Sequence, residues 1–307
     1  MSTYYKVFKI SLANQLEYRV NFISGFLFSL FPFTVNVLLW IAVSYQSKDM
    51  PFKADGIVSY YFLTLITYNI TSTVSVFKIS DDIRLGTLNQ YLIKPYNYAL
   101  YQLASDLPHR FIFIVMNAVP ITVLYFLLQK YFVFTLSLWK ALFFVLFLIA
   151  GYLINFFIDF LIALYSFYFS RVSSLYTSIR VLKNISAGII FPLVLLPESM
   201  FSLLKNLPFA FISHIPVSLL LDDVPLCTAF ISLCKSLGWI TLLAVFFCNS
   251  MEKGNENLFR LWRIVCIKIK LQIPPHPAWS NAVGFLKGFL KIAVPVITDC
   301  LCYFYNG

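Results

Sequence analysis

The sequence predicts an all-α, polytopic membrane protein with six transmembrane helices, an interfacial helix before them and an external re-entrant segment. Three observations carry this. Hydrophobic residues make up 60% of the 307 positions and charged residues only 12%, about half the charged share of a soluble domain. The mean hydropathy of +0.81 is more apolar surface than a soluble fold of this length can hide, so lipid must solvate much of it. Apolar runs of spanning length recur along the chain, a bilayer needing about 20 residues at about 1.5 Å rise each.

In residues 1–19, Tyr5, Phe8, Leu12 and Leu16 recur at helical spacing, with Lys6, Lys9, Asn14 and Glu17 on other faces. Such a helix can lie in the headgroup layer. The mixed polarity of residues 4–19, with no small-residue cleavage site behind the first apolar run, argues against a cleaved signal peptide. Spans are expected at 20–45, 57–77, 111–128 and 141–169. The fifth, 181–196, contains Lys183, needs extension back to 175 and should kink at Pro192. The sixth is 227–248, with Lys235 inside it. Residues 197–223 are apolar but broken by Pro197, Pro208 and Pro216. Together with Pro192 these prolines predict short helices that dip into the outer interface or re-enter, a geometry tolerated where protein or water satisfies the backbone.

The spans and their loops form a domain over 20–250, and 251–307 a basic cytoplasmic tail. Within the tail, 282–305 is apolar but carries Lys287, Lys291, Pro295 and Asp299. It reads as an interfacial helix or a seventh membrane helix, each charge at the bilayer centre costing at least about 2.5 kcal/mol.

The net charge is +10. In a soluble protein that would suggest nucleic acid; here it fits the cytoplasmic loops of a membrane protein, and no nucleic-acid partner is expected. Fifteen Lys and Arg fall on the N-terminal side of the predicted membrane and five on the other. That asymmetry places the N-terminus in the cytoplasm, and with it the loop 78–110. The six Cys form no CxxC pair or zinc series and read as small apolar residues.

No P-loop, HExxH or GxSxG pattern occurs, and the three histidines are far apart, so neither a catalytic nor a metal site is expected. Asp159 stands deep in the fourth apolar run. Intramembrane acids serve as structural hydrogen-bond partners, substrate contacts or proton-coupling groups, and the residues leave all three open. Asp222 and Asp223 read as a solvated loop end.

The most polar stretch between spans is DDIRLGTLNQYLIKP, residues 81–95. Ile83, Leu85, Leu88, Tyr91 and Leu92 predict a helix, capped at its start by Asp81 or Asp82 and ended by Pro95. A second short helix is expected over 99–107, stopping before Pro108. By physics alone the first helix either docks into another protein's groove or packs on its own bundle.

This segment resembles the signature of ABC-2 type transporter permeases: an acidic start at Asp82, then Gly86, Thr87 and Leu88, then Leu92 and Pro95. The leader helix, the six-span count and the proline-punctuated 191–211 agree, and the likeness covers residues 1–252. The tail departs from the family pattern, in which the chain ends soon after the sixth span. The resemblance implies the ABC-2 (type V exporter) fold and a permease that is not itself an enzyme. It implies a partner ABC ATPase that holds ATP and Mg, with no cofactor on this chain. It implies a second permease copy or homologue, lipid surroundings and residence in a bacterial inner membrane. The coupling helix would be about residues 80–96, with Asp82, Arg84, Gly86, Thr87, Leu88, Leu92 and Pro95 as its ATPase-coupling residues. Cargo would be an amphipathic compound, peptide or lipid moved outward between the two copies along spans one, two and five. The alternatives are a proton-coupled secondary transporter working through Asp159 and a non-transporting membrane subunit.

Overall fold

A computed structural model describes residues 3–250 apart from 18, 47–53, 74, 93, 95–96, 134–136, 168–171, 223 and 248–249. The chain divides into Met1–Gly254 and Asn255–Gly307, and every described residue belongs to the first. Expectations for Pro95, Asp223 and the tail fall outside the described residues.

The helices of the described residues run in order: α1 (Thr3–Glu17), α2 (Arg19–Gln46), α3 (Ala54–Thr71), α4 (Ser75–Arg84), α5 (Leu88–Leu92), α6 (Tyr98–Leu128), α7 (Leu138–Leu164), α8 (Ser173–Ser186), α9 (Glu198–Asn206) and α10 (His214–Leu221). A further helix, α11, covers Leu226–Phe247. Among the described residues there is no strand. Among the described residues five stretches are long and apolar enough to cross a bilayer: Ile23–Tyr45, Asp55–Arg84, Tyr98–Tyr131, Leu138–Phe167 and Leu226–Phe247. They correspond to the predicted spans one to four and six.

The predicted fifth span is different. α8 has 14 residues and so reaches about 21 Å, against a hydrocarbon core of about 30 Å. It stops well before Pro192, where the kink was expected, because Gly188 adopts φ +76°. The amide of Gly188 donates to the Ile185 carbonyl at 3.1 Å and that of Ile189 to the Asn184 carbonyl at 3.0 Å. That pair of reversed bonds is a Schellman cap, which glycine alone enters without a Cβ penalty. The carbonyls beyond it lack helical partners and are met from other helices. The Tyr60 hydroxyl donates to the Gly188 carbonyl at 2.6 Å and the Tyr61 hydroxyl to that of Ile190 at 3.0 Å. Non-helical backbone inside an apolar fold requires such donors.

Short helices do follow. Pro192 precedes a 3-10 turn at Leu193–Leu195, Pro197 precedes α9, and Pro208 opens a second 3-10 turn at Pro208–Phe211. Proline suits these first positions because its missing amide would be unpaired there anyway.

Two other expectations are corrected. α6 does not stop before Pro108; it begins at an Asn97 cap, whose side chain accepts from the amides of Ala99 and Leu100, and continues through Pro108 and Pro120. Each proline removes one bond of the ladder, which long apolar helices tolerate when neighbours pack around them. In α1 the face turned to α6 is Tyr4, Val7, Phe8, Ser11, Leu12 and Gln15, while Tyr5 and Leu16 are exposed. The packed face is therefore rotated from the apolar stripe read in the sequence.

The core is built by α3, α7 and α10. Tyr60, Phe147, Ile154, Phe160 and Val217 are at most 1% exposed. α2 and α11 are peripheral: of their most apolar windows only 6% and 11% is buried, against 59% in the second span. Outer helices that are apolar all round are suited to lipid or to another protein.

Candidate coupling elbow and buried ion pair

Residues 81–95 do not form one helix. α4 runs in from the core side and ends at Arg84; α5 begins at Leu88. Gly86, at φ +74° with open space around its Cβ position, reverses the chain between them. Its amide donates to the Ile83 carbonyl at 3.3 Å, and the Leu85 amide to that of Asp81 at 2.8 Å. Asp82 therefore lies in the last turn of α4 and does not cap a helix start.

Its carboxylate holds the elbow together. Oδ1 accepts from the Thr87 hydroxyl at 2.8 Å. Oδ2 accepts from the Tyr98 hydroxyl at 2.6 Å and the Gln102 amide at 3.2 Å, both on α6. Hydrogen bonds to a charged group are worth about 1.5–3 kcal/mol each when buried; this carboxylate is half-buried, so the lower end applies. Leu88 is 2% exposed and anchors α5. Arg84 pairs with Asp81 at 3.0 Å, but both are more than half exposed, so the pair adds little to stability. Arg84, Leu85 and Gly86 form the outward tip, with Leu85 69% exposed. Of the predicted coupling residues, Asp82, Thr87 and Leu88 are brought together inside the elbow, and Arg84 and Gly86 lie on its outside. The Leu92 side chain is not described.

Asp159 is the second site. It is 1% exposed, on α7, and its Oδ1 accepts from the Lys183 ammonium of α8 at 2.9 Å. Its other oxygen accepts from the Thr73 hydroxyl, in the break between α3 and α4. The Lys183 ammonium also donates to the Asn155 side-chain oxygen at 2.6 Å, and the Asn155 amide to the Thr71 carbonyl at 2.7 Å. One network thus ties α8 to α7 and closes the gap in the second span. A second pair lies alongside: Asp106 accepts from Arg110 at 3.4 Å and from the Tyr152 hydroxyl at 2.9 Å, joining α6 to α7.

Lys183 and Arg110 therefore do not belong to solvated loops, as the charge count assumed; both are buried and paired. Sequence reasoning missed Thr73, Asn155, Tyr98, Gln102, Asp106 and Tyr152. A signal existed for some of them. Asn155 and Asp159 are four apart on one helix face, as are Asp106 and Arg110, and opposite charges in two neighbouring apolar runs call for each other.

Among the described residues no His, Cys, Asp and Glu cluster could hold a metal ion. The side chains gathered here join helices to one another across α3, α4, α6, α7 and α8. No curated protein matches the chain. The profile of the ABC-2 family transporter proteins matches residues 17–253, which includes the elbow and both buried pairs. The chain belongs to the ABC-2 transporter family, whose members are membrane transport subunits.

Proposed function

We propose that the chain is the permease of an ABC exporter, driven by ATP hydrolysed on a separate subunit that seats against the elbow of α4 and α5. The observation that carries this is the Asp82 carboxylate, bonded at once to Thr87 of the elbow and to Tyr98 and Gln102 of α6. Force on the exposed tip at Leu85 passes directly to a membrane helix. A second route runs up α4 to Thr73 and the Asp159–Lys183 pair, with α4 tied sideways by Lys78 to Ser105 at 3.1 Å and by Ser80 to Ser166 at 2.7 Å. A rigid element held at both ends lets a partner bias one of two bundle arrangements.

The permease sits in a bacterial inner membrane with α1 and the elbow in the cytoplasm, a reading supported by the charge asymmetry of the sequence. Residues 192–221 serve as the external re-entrant segment. The uncovered apolar faces of α2 and α11 support lipid contact and a second copy, with an amphipathic cargo moving outward between the two. The pairing of Asp159 with Lys183 favours a structural role for that acid over proton coupling.

The test is association. The tagged full chain, purified from its native membranes, should bring down a nucleotide-binding subunit whose ATP hydrolysis changes in the complex. Asp82→Arg should leave the chain inserted and remove that change. Hydrolysis indifferent to Asp82→Arg, or the absence of any such subunit, refutes the proposal.

A further inference from the structure

Beside the buried ion pair lies a cavity of about 150 Å3, between the break in the second span, α7 and α8. Neither the elbow nor the family assignment accounts for it. Its volume is that of about five water molecules, enough for one small headgroup and too little for a whole amphiphile. It is open on one side, so a longer molecule could leave a tail outside.

The charges of its wall select the sign of an occupant. Lys183 and Arg180 line it, and Asp159 does not. Asp159 neutralises Lys183 at 2.9 Å from behind. Among the described residues no carboxylate pairs with Arg180. Its guanidinium lies 5.7 Å from the Tyr176 ring, which orients the planar fork while leaving its donors available. A cation entering here would meet uncompensated positive charge, and an anion would relieve it.

The donors fit the same occupant. The Lys183 ammonium has three N–H bonds, of which Asn155 and Asp159 take two. The third remains for a ligand. Tyr68, Ser72 and Asn184 add hydroxyl and amide groups to the wall. Phe77, 49% exposed and braced edge to face against the buried Tyr176 at 5.1 Å, forms an apolar margin along which a hydrocarbon tail can lie.

We propose that this cavity binds the anionic headgroup, phosphate or carboxylate, of a single amphiphile, held by Arg180 and Lys183 with the tail over Phe77. Its identification as cargo rests on the transport reading above. Occupation also draws on the third donor of Lys183, so the headgroup reports directly to the joint between α7, α8 and the broken span.

The experiment is binding to the purified full chain in maltoside micelles, without nucleotide, read by native mass spectrometry. The probe is dodecyl phosphate, with dodecyltrimethylammonium and inorganic phosphate as comparisons. One dodecyl phosphate should bind per chain. Arg180→Gln should weaken it about tenfold or more, the loss of a charge-assisted contact, while Arg180→Lys, which keeps the charge but not the fork, should fall between that variant and the parent. Arg180 is exposed, so both variants should fold, and gel filtration checks this. Equal binding by Arg180→Gln and the parent overturns the proposal. So does equal affinity for dodecyltrimethylammonium, or inorganic phosphate binding as tightly as dodecyl phosphate. Because no nucleotide or ATPase takes part, failure here leaves the Asp82 test untouched, and failure of that test leaves this binding intact.

Discussion

Replacing Lys183 with Met should destabilise the chain severely, while replacing Lys183 and Asp159 together should not. At 2.9 Å and an effective dielectric of about 20, the two charges attract by about 6 kcal/mol. Removing each ion from water costs several kcal/mol, so the intact pair comes out near balance. Lys183→Met alone removes the attraction and leaves the Asp159 carboxylate buried at 1% exposure with a single hydroxyl donor, Thr73. The expected loss is about 3–5 kcal/mol, the usual consequence of stranding one member of a buried pair. Adding Asp159→Asn removes the stranded charge and keeps an acceptor for Thr73, which should recover most of that loss. The assay is a double-mutant cycle on the purified chain, following thermal loss of the monodisperse peak by fluorescence-detected gel filtration. The order of midpoints should be parent, then double variant, then Lys183→Met. A single variant as stable as the parent, or two single losses that simply add, would show that the pair is not the joint described here.

Two glycine substitutions separate the buried cap from the elbow. Gly188→Ala meets two penalties: a positive φ, and a Cβ 2.7 Å from the Tyr60 hydroxyl. It should cost about 1–2 kcal/mol for the backbone and about 1–3 more for the clash, read as a lower unfolding midpoint in the same assay. Gly86→Ala shares the positive φ but has nothing within 4 Å of its Cβ, so its cost should be the backbone share alone. If the elbow is the ATPase seat, this variant should alter the hydrolysis of the co-purified subunit while lowering the midpoint less than Gly188→Ala does.

The residues of the elbow were legible but its shape was not. The spacing of Ile83, Leu85, Leu88, Tyr91 and Leu92 promised one helix through Gly86, whereas Gly86 takes a positive φ and parts two helices, and Asp82, read as a cap or an acidic start, instead accepts the Thr87 hydroxyl five residues on. The reach of Asp82 to Tyr98 and Gln102 was not legible, because it depends on α6 lying beside α4. The fifth span shows the opposite failure. Its hydropathy promised a crossing helix, yet Gly188 four residues before Pro192 was a helix stop. Apolarity reports only that a segment avoids water; it does not say whether lipid or protein surrounds it. Tyr60, Tyr61 and the core of α3 and α10 make it protein here.

By itself the sequence determined the solvent of this protein, its helical class and its family, because hydropathy and local signatures are sums over neighbours along the chain. Tertiary structure alone decided that Lys183 is a buried partner of Asp159 rather than a loop charge. It alone decided that the second span is broken and mended by α7 and α8, and that Arg180 faces a cavity. Such facts depend on which helices meet, and packing joins residues that no sequence window contains.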